Sequence, residues 1–199
     1  MNVLIGCERS GVIRDTFLRA GHNAWSCDLE PSRKPGLHYQ CDVFDAVVKK
    51  NWDLFIVHPE CRYLCSSGLF RNINNPSRQQ LTEQAITFAL KCWFVDIEKI
   101  CLENSIGCLS RPEYLGKATQ IIQPHQFGHD ASKATCLWLK NLEPLTPTKH
   151  VAPRIVDGKK RWANQTDSGQ NNLPPSADRS EKRAETYQGV ADAMVAVWG

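Results

Sequence analysis

No apolar run in the chain approaches the roughly 18–20 residues that a membrane-spanning helix needs. The first residues, Met-Asn-Val-Leu-Ile-Gly, lack a basic segment leading into a long apolar core. They read as a first strand rather than a signal peptide, so the expected location is the cytoplasm, with no membrane partner. There is no Cys-x-x-Cys pair, although the chain holds nine cysteines. An odd number of thiols in a cytoplasmic chain points to reduced cysteines rather than a disulfide framework. Most of them lie within apolar segments, where cysteine acts as a small hydrophobe. A strong charge of either sign is also missing. The net charge is +3 and the sequence pI is about 8.4, compatible with an anionic partner without requiring one. Internal repeats and long low-complexity tracts are absent. What is present is a 199-residue chain, 42% hydrophobic, which suits one domain with a substantial core.

Short apolar runs alternate with helical patterns. Residues 2–7 read as a buried strand, and Gly11 opens a helix carrying Val12, Ile13, Phe17 and Leu18, with Gly21 as its stop. A second strand covers 24–28, and Pro31, Pro35 and Gly36 mark a loop. Residues 38–44 form a third short element, 45–50 a helical turn and 53–57 a strong strand. From Pro76 to about Ile97 the pattern is helical, with Leu81, Ala85, Phe88, Ala89, Cys92 and Trp93 on one face. Residues 100–102 and 134–139 read as further strands. The alternation predicts an α/β fold, a mainly parallel sheet with helices on both faces. Residues 143–180 differ: they are rich in proline and basic side chains, with a small hairpin expected around Asp157-Gly158. They are read as an insertion or minimal recognition segment within a single domain spanning 1–199. The last helix is expected over 181–198, with Tyr187, Val190, Ala191, Met194 and Trp198 on one side.

In an open α/β sheet, ligands bind beyond the carboxyl ends of the strands. The polar residues there are Glu8 and Ser10, Asp28, Asp42, Cys61 and Glu103, each following an apolar run. The turn Glu8-Arg-Ser-Gly11 leads into a helix, where a ligand can approach the backbone and the helix N-terminus. Asp28 suits the hydroxyls of a ribose; an N-cap or loop acid is the plainer reading. Asp42 can meet an adenine amino group or serve as a turn acid. In Asp53-Leu-Phe-Ile-Val-His-Pro-Glu-Cys61, a buried strand delivers a thiol just past a proline. A thiolate there is a nucleophile for an electron-poor carbon such as C6 of a pyrimidine, whereas the plainer reading is a buried inert thiol. Glu103, followed by Asn104, can meet a ring nitrogen and share its proton; the plainer reading is a loop cap. His58, Cys61 and Cys65, with His125 and His129 further on, do not make a standard zinc spacing, and no metal is expected.

In this order the residues resemble DNA cytosine-5 methyltransferases, which use S-adenosylmethionine. Their cofactor turn is similar to Val3-Leu-Ile-Gly6-Cys7-Glu8-Arg-Ser10-Gly11. Their ribose-binding acid corresponds to Asp28, beside Leu29, and their adenine-contacting aspartate to Asp42, beside Val43. Their Pro-Pro-Cys nucleophile motif corresponds to Pro59-Glu60-Cys61, and the glycine ending their catalytic loop to Gly68. Their Glu-Asn-Val motif resembles Glu103-Asn104-Ser105, with Gly107 shortly after. Small phage-encoded proteins described as methyltransferases share the Cys-Glu-x-Ser-Gly start and a stretch like Phe127-Gly-His…Lys133-Ala-Thr-Cys-Leu-Trp-Leu-Lys-Asn-Leu142.

The resemblance implies a Rossmann-like class I methyltransferase fold. It also implies a covalent Cys61 mechanism at C5 of cytosine in DNA, assisted by Glu103 and Asn104. RNA, a free pyrimidine nucleotide, or a non-catalytic binding role on the same fold are the alternatives. The sequence departs from the pattern in three places. Glu60 stands where the second proline is expected and should tend to raise the thiol pKa, an effect that His58 or Arg62 can offset. The Gln-x-Arg motif that contacts the base is missing, with Lys133 and Arg62 as the nearest basic substitutes. Only residues 143–180 stand in for the large recognition domain. Arg62, Ser66, Lys133, Lys159, Lys160 and Arg161 are the candidate nucleic-acid contacts, with Trp162 placed to stack a base.

Overall fold

Successive residues of a strand point to opposite faces of a sheet, so a strand buried on both faces must be apolar at nearly every position. The segments Asn2–Gly6 (β1) and Leu54–Val57 (β4) meet that condition. In the computed structural model, which describes all 199 residues, they form the centre of a seven-stranded sheet. The chain runs through β1, α1 (Val12–Arg19), β2 (Asn23–Asp28), β3 (His38–Gln40), α2 (Val43–Val47) and β4. It continues through α3 (Ser66–Leu69), α4 (Pro76–Trp93), β5 (Lys99–Ser105), β6 (Gln120–Ile122) and β7 (Thr135–Lys140). A separate hairpin, β8 (Arg154–Val156) and β9 (Lys159–Arg161), precedes α5 (Arg179–Ala184) and α6 (Gln188–Trp198).

The strand order is β3-β2-β1-β4-β5-β7-β6. Strands β1 to β5 pair in parallel, and β7 runs antiparallel to both its neighbours. The order reverses direction between β1 and β4, which is the topological switch point where such sheets open a crevice. Leu4, Phe55, Ile100 and Leu102 pack under α2 and α4, with Ala46, Ala89 and Cys92. Val3, Ile5, Ile56 and Cys101 pack on the other face, under α1 and α6, with Phe17, Met194 and Trp198. Helices therefore cover both faces. The strand order and the single reversed strand make this the expected Rossmann-like class I methyltransferase fold.

Several boundaries differ from expectation, each for a local reason. Helix α4 buries Thr82, Ile86, Ala89 and Cys92, while Leu81 is 41% exposed. Ala89 and Cys92 lie on the expected face, while Thr82 and Ile86 are buried in its first half; the Thr82 hydroxyl donates to the Tyr63 carbonyl and accepts from Asn72. The expected final helix is two helices. No residue of α5 is buried, and the apolar period begins only at Tyr187. The backbone is extended at Glu185 and Tyr187 (ψ 137° at both), and α6 begins after it. A Cβ at Gly189 would lie 1.9 Å from the Phe127 carbonyl oxygen, so only glycine lets α6 dock there. Strand β6 leaves no clear apolar run in the sequence: it has three residues, of which only Ile122 is buried. The hairpin turns at Asp157 and Gly158 as expected, both with positive φ (49° and 72°), the geometry of a two-residue primed turn.

Candidate functional site

The carboxyl ends of β1, β2 and the β3–α2 connection converge. The Cys7 thiol, at φ 58° just after β1, is held well above its ordinary pKa. Burial is the main cause, and the charges of Asp28 and Asp42 contribute, so both acids lie around the end of β1. The start of α1 is partly closed by its own side chains. Its first free N–H groups are already capped: Val12 donates to Ser10 Oγ at 3.2 Å and Ile13 to Glu8 Oε1 at 3.0 Å. Glu8 is 5% exposed, and its Oε2 is buried with no partner.

Asp28 caps its own loop through the Glu30 N–H, and Asp42 is the N-cap of α2, accepting from the Phe44 N–H at 2.8 Å. Asp42 also lines an open groove with Phe44, Gln84 and Phe88. Leu29 is 71% exposed at the rim. Gly6 and Val43, expected beside the cofactor, are buried and pack together: a Cβ at Gly6 would lie 2.8 Å from Val43 Cγ2.

Strands β4 and β5 are neighbours, so the segments leaving their carboxyl ends come together. Cys61 opens an exposed 3₁₀ turn, Cys61–Tyr63. Three ties fix the segment carrying it to the end of β5. Asn104, 2% exposed, donates from Nδ2 to the Pro59 carbonyl at 2.7 Å. The Ser66 N–H donates to the Ile106 carbonyl and the Cys108 N–H to the Leu64 carbonyl. Gly107 must be glycine, since a Cβ there would lie 1.9 Å from the Leu64 oxygen. Asn104 and Pro59, expected as a catalytic and a cofactor residue, are thus engaged with each other.

Glu103 accepts a 2.8 Å hydrogen bond at Oε2 from His58 Nδ1. Burial pushes the Glu103 carboxyl up, but the hydrogen bond from His58, the charge of that ring whenever it is protonated, and Lys133 outweigh it and hold the pKa below its ordinary value. Desolvation raises the Cys61 thiol. The hydrogen bond of Ser105 opposes this, Cys65 and Glu103 add to it, and Lys133 lowers it. Glu60 is not among these groups: it forms an exposed 3.0 Å ion pair with Arg62, the offset that the sequence offered. Lys133 therefore acts on both Glu103 and Cys61, although its sequence position places it far from each. A small cavity of about 20 Å³ lies beside Glu103, walled by His58, Lys133, Thr135, Tyr187 and Met194 among others.

Of the remaining basic candidates, Lys159 and Lys160 are exposed on β9. Arg161 is engaged instead, donating from Nε to the Asp167 carbonyl and from Nη1 to the Lys160 carbonyl. Ser66 is exposed at the start of α3. Trp162, expected to stack a base, already stacks on His125 at 4.3 Å and 10°. No group of three or more His, Cys, Asp or Glu residues is disposed to hold a metal ion.

Sequence reasoning weighed His58 only as a zinc ligand or an offset to Glu60 and did not pair it with Glu103, although it follows β4 directly. It missed Arg14 altogether. Arg14 gave no such signal: it lies on the buried face of α1. Its guanidinium is fully buried and bonds Asp15, Ser26, Ser32 and the Pro35 carbonyl, pinning the loop beside Asp28.

No protein-family model matches the chain, and no curated protein matches it. Among solved structures, the chain is similar to a protein described as a DNA modification methyltransferase encoded within an E. coli prophage. The TM-score is 0.47 and the identity 14%, over 79% of this chain and 53% of that one. It is also similar to the S. pombe Dnmt2 methyltransferase, with a TM-score of 0.47 and 18% identity over 72% of this chain and 51% of the other. The Entamoeba histolytica methyltransferase EhMeth gives a TM-score of 0.45 and 14% identity over 76% of this chain and 58% of the other. The chain therefore spans little more than half the length of each of these structures.

Proposed function

We propose that the chain is an S-adenosylmethionine-dependent methyltransferase that acts on C5 of cytosine in DNA through a covalent Cys61 adduct. The observation that carries this reading is the meeting of Cys61 and Glu103 at the ends of adjacent strands, with Lys133 acting on both. The residues around β1 fit the cofactor. The unpartnered Oε2 of Glu8 is a buried acceptor for its ammonium group, since a buried carboxylate oxygen without a donor is costly. Asp28 would take the ribose hydroxyls, and Asp42 with the exposed Leu29 would meet the adenine. When bound, the cofactor supplies an electrophilic methyl group.

The residues of the chain do the rest. The Cys61 thiolate forms a bond to C6, and electron density moves toward N3 and C5. Glu103 faces the N3–N4 edge of the ring. Its ionised carboxylate accepts from the N4 amino group and from N3 once that nitrogen takes up a proton from water. The methyl group is added at C5. Loss of the C5 proton then expels the Cys61 sulfur from C6 as thiolate, and N3 returns its proton to water, which restores the ring. Asn104 holds the Pro59 carbonyl, and with it the approach to Cys61. Lys159 and Lys160 give non-specific contact with phosphates, as expected for so small an element.

The test mixes the protein with methyl-labelled cofactor and duplex DNA, single-stranded DNA, RNA or dCMP, and looks for label on cytosine. Label on DNA cytosine, abolished by Cys61→Ser with cofactor binding retained, is the expected result. Label on RNA or dCMP alone reassigns the substrate. Cofactor binding without transfer to any of the four leaves a binding protein on this fold.

A further inference from the structure

We propose that His58 is the general base that removes the C5 proton when the Cys61 adduct collapses. This rests on the methyltransferase reading above, which requires that proton to leave but assigns no residue to take it.

The His58 main chain is fixed first: its N–H donates to the Gly6 carbonyl at 3.1 Å, extending the β1–β4 pairing by one residue. The ring then bonds Glu103 Oε2 through Nδ1 at 2.8 Å. Glu103 is held ionised, and a carboxylate only accepts, so Nδ1 carries the hydrogen. In the neutral ring the lone pair therefore sits on Nε2. That atom is buried and has no partner in the protein. A buried polar atom is normally satisfied, and one left free in a cavity beside the Glu103 carboxylate calls for an explanation. A carboxylate that fixes the tautomer and steadies the imidazolium is the arrangement by which histidine serves as a base. Besides Glu103 from β5, the titratable groups around the ring's cavity are Lys133 at the start of β7 and Tyr187 at the start of α6. Neither is hydrogen-bonded to Nε2.

The substrate's own geometry places the base. Glu103 meets the amino group on C4, and C5 is the ring carbon next to C4. His58, bonded to the carboxylate that would meet this edge of the ring, is the base we place toward C5. The cavity has room for about one water, so the proton can pass directly or through that water. The step balances: the C5–H electron pair becomes the C5–C6 double bond, the C6–S bond breaks, and sulfur leaves as thiolate. The proton goes to Nε2, making an imidazolium paired with Glu103, and then to solvent.

His58→Asn separates this role from a structural one, because an asparagine amide can still donate to Glu103 but offers no basic nitrogen. Turnover is expected to fall about 100-fold or more. A denaturant-stable protein–DNA adduct bearing the methyl label should accumulate, because addition and methyl transfer no longer lead to release. Turnover within about threefold of wild type overturns the proposal, as does loss of the adduct in a variant that melts and binds DNA like wild type. A second measurement needs no activity. Nitrogen NMR of the full-length wild-type chain should show neutral His58 protonated on Nδ1; protonation on Nε2 overturns the proposal even if His58→Asn does not fold. Failure of the methyltransferase reading looks different: wild type itself then gives neither label nor adduct, and the assigned step falls with it.

Discussion

The reactivity of Cys61 is set by neighbours that are distant in sequence. Its thiol is raised, so thiolate is scarce at neutral pH and activity should climb with pH on the acid side of the profile. Ser105 and Lys133 both lower that pKa. Ser105→Ala and Lys133→Gln should therefore move the rising limb of kcat/KM to higher pH, with Lys133→Gln also weakening the ionised state of Glu103. Glu60→Gln should leave the same limb where it is, because Glu60 is spent on Arg62 at the surface. A shift comparable to that of Lys133→Gln would show that Glu60 acts on the thiol after all. Cys61 and Glu103 were legible as candidates because each stands at the end of an apolar run. Which of the two readings of Glu60 holds, a charge on the thiol or a partner for Arg62, was not legible, because adjacency along a chain does not say where a side chain turns.

Among the elements, the clamp between the Cys61 segment and β5 is the tightest. Gly107→Ala forces a Cβ against the Leu64 carbonyl and should cost about 1–3 kcal/mol, as overpacking does. The loss reads as a lower melting temperature, and Cys61 should become more accessible to a thiol reagent. Helix α5 is the opposite case. It buries no residue and is held at Glu181 by Arg9 and Arg33, with Lys133 Nζ donating to the Ala184 carbonyl at 3.3 Å. Glu181→Gln should speed amide exchange over residues 179–184, while exchange in α6, anchored by Met194 and Trp198, stays unchanged. Unchanged exchange in α5 would mean that other contacts hold it. The break between these helices was hidden in the sequence because residues 181–198 are continuously compatible with helix; it is imposed by the docking of Gly189 on Phe127.

At the scale of the whole molecule, the buried thiols couple stability to pH. Burial pushes Cys27 and Cys92 up to about 12, and Cys7 and Cys101 are also raised. A pKa raised on folding stabilises fully below the unfolded value, about 8.5 for a thiol, and that stability is lost as pH rises through the folded one. The melting temperature should thus fall progressively above about pH 8.5, and less steeply in Cys92→Ala. Glu103 works in the other direction. Its lowered pKa adds stability above the ordinary carboxylate value, lost as pH falls through the lowered one, and Glu103→Gln should flatten that acid limb. A melting temperature with no alkaline decline would mean that the thiols ionise as readily in the fold as outside it.

The α/β class, the parallel strands and the ordered row of polar residues at their ends were determined by the sequence itself. Apolar runs long enough for a strand and buried on both faces admit little else, and the residue after each run must emerge at the sheet's edge. Pairings between segments were decided only by the tertiary structure. His58 and Glu103 are 45 residues apart and meet because β4 and β5 are neighbours. Lys133 reaches them because β7 is antiparallel to β5 and starts where β5 ends. Ser10 and Glu8 cap the Val12 and Ile13 N–H groups at the helix start. The physical reason is common to all of these. Burial and periodicity act along the chain and leave a local pattern, whereas hydrogen bonds and charge pairs depend on distances that exist only once the sheet has formed.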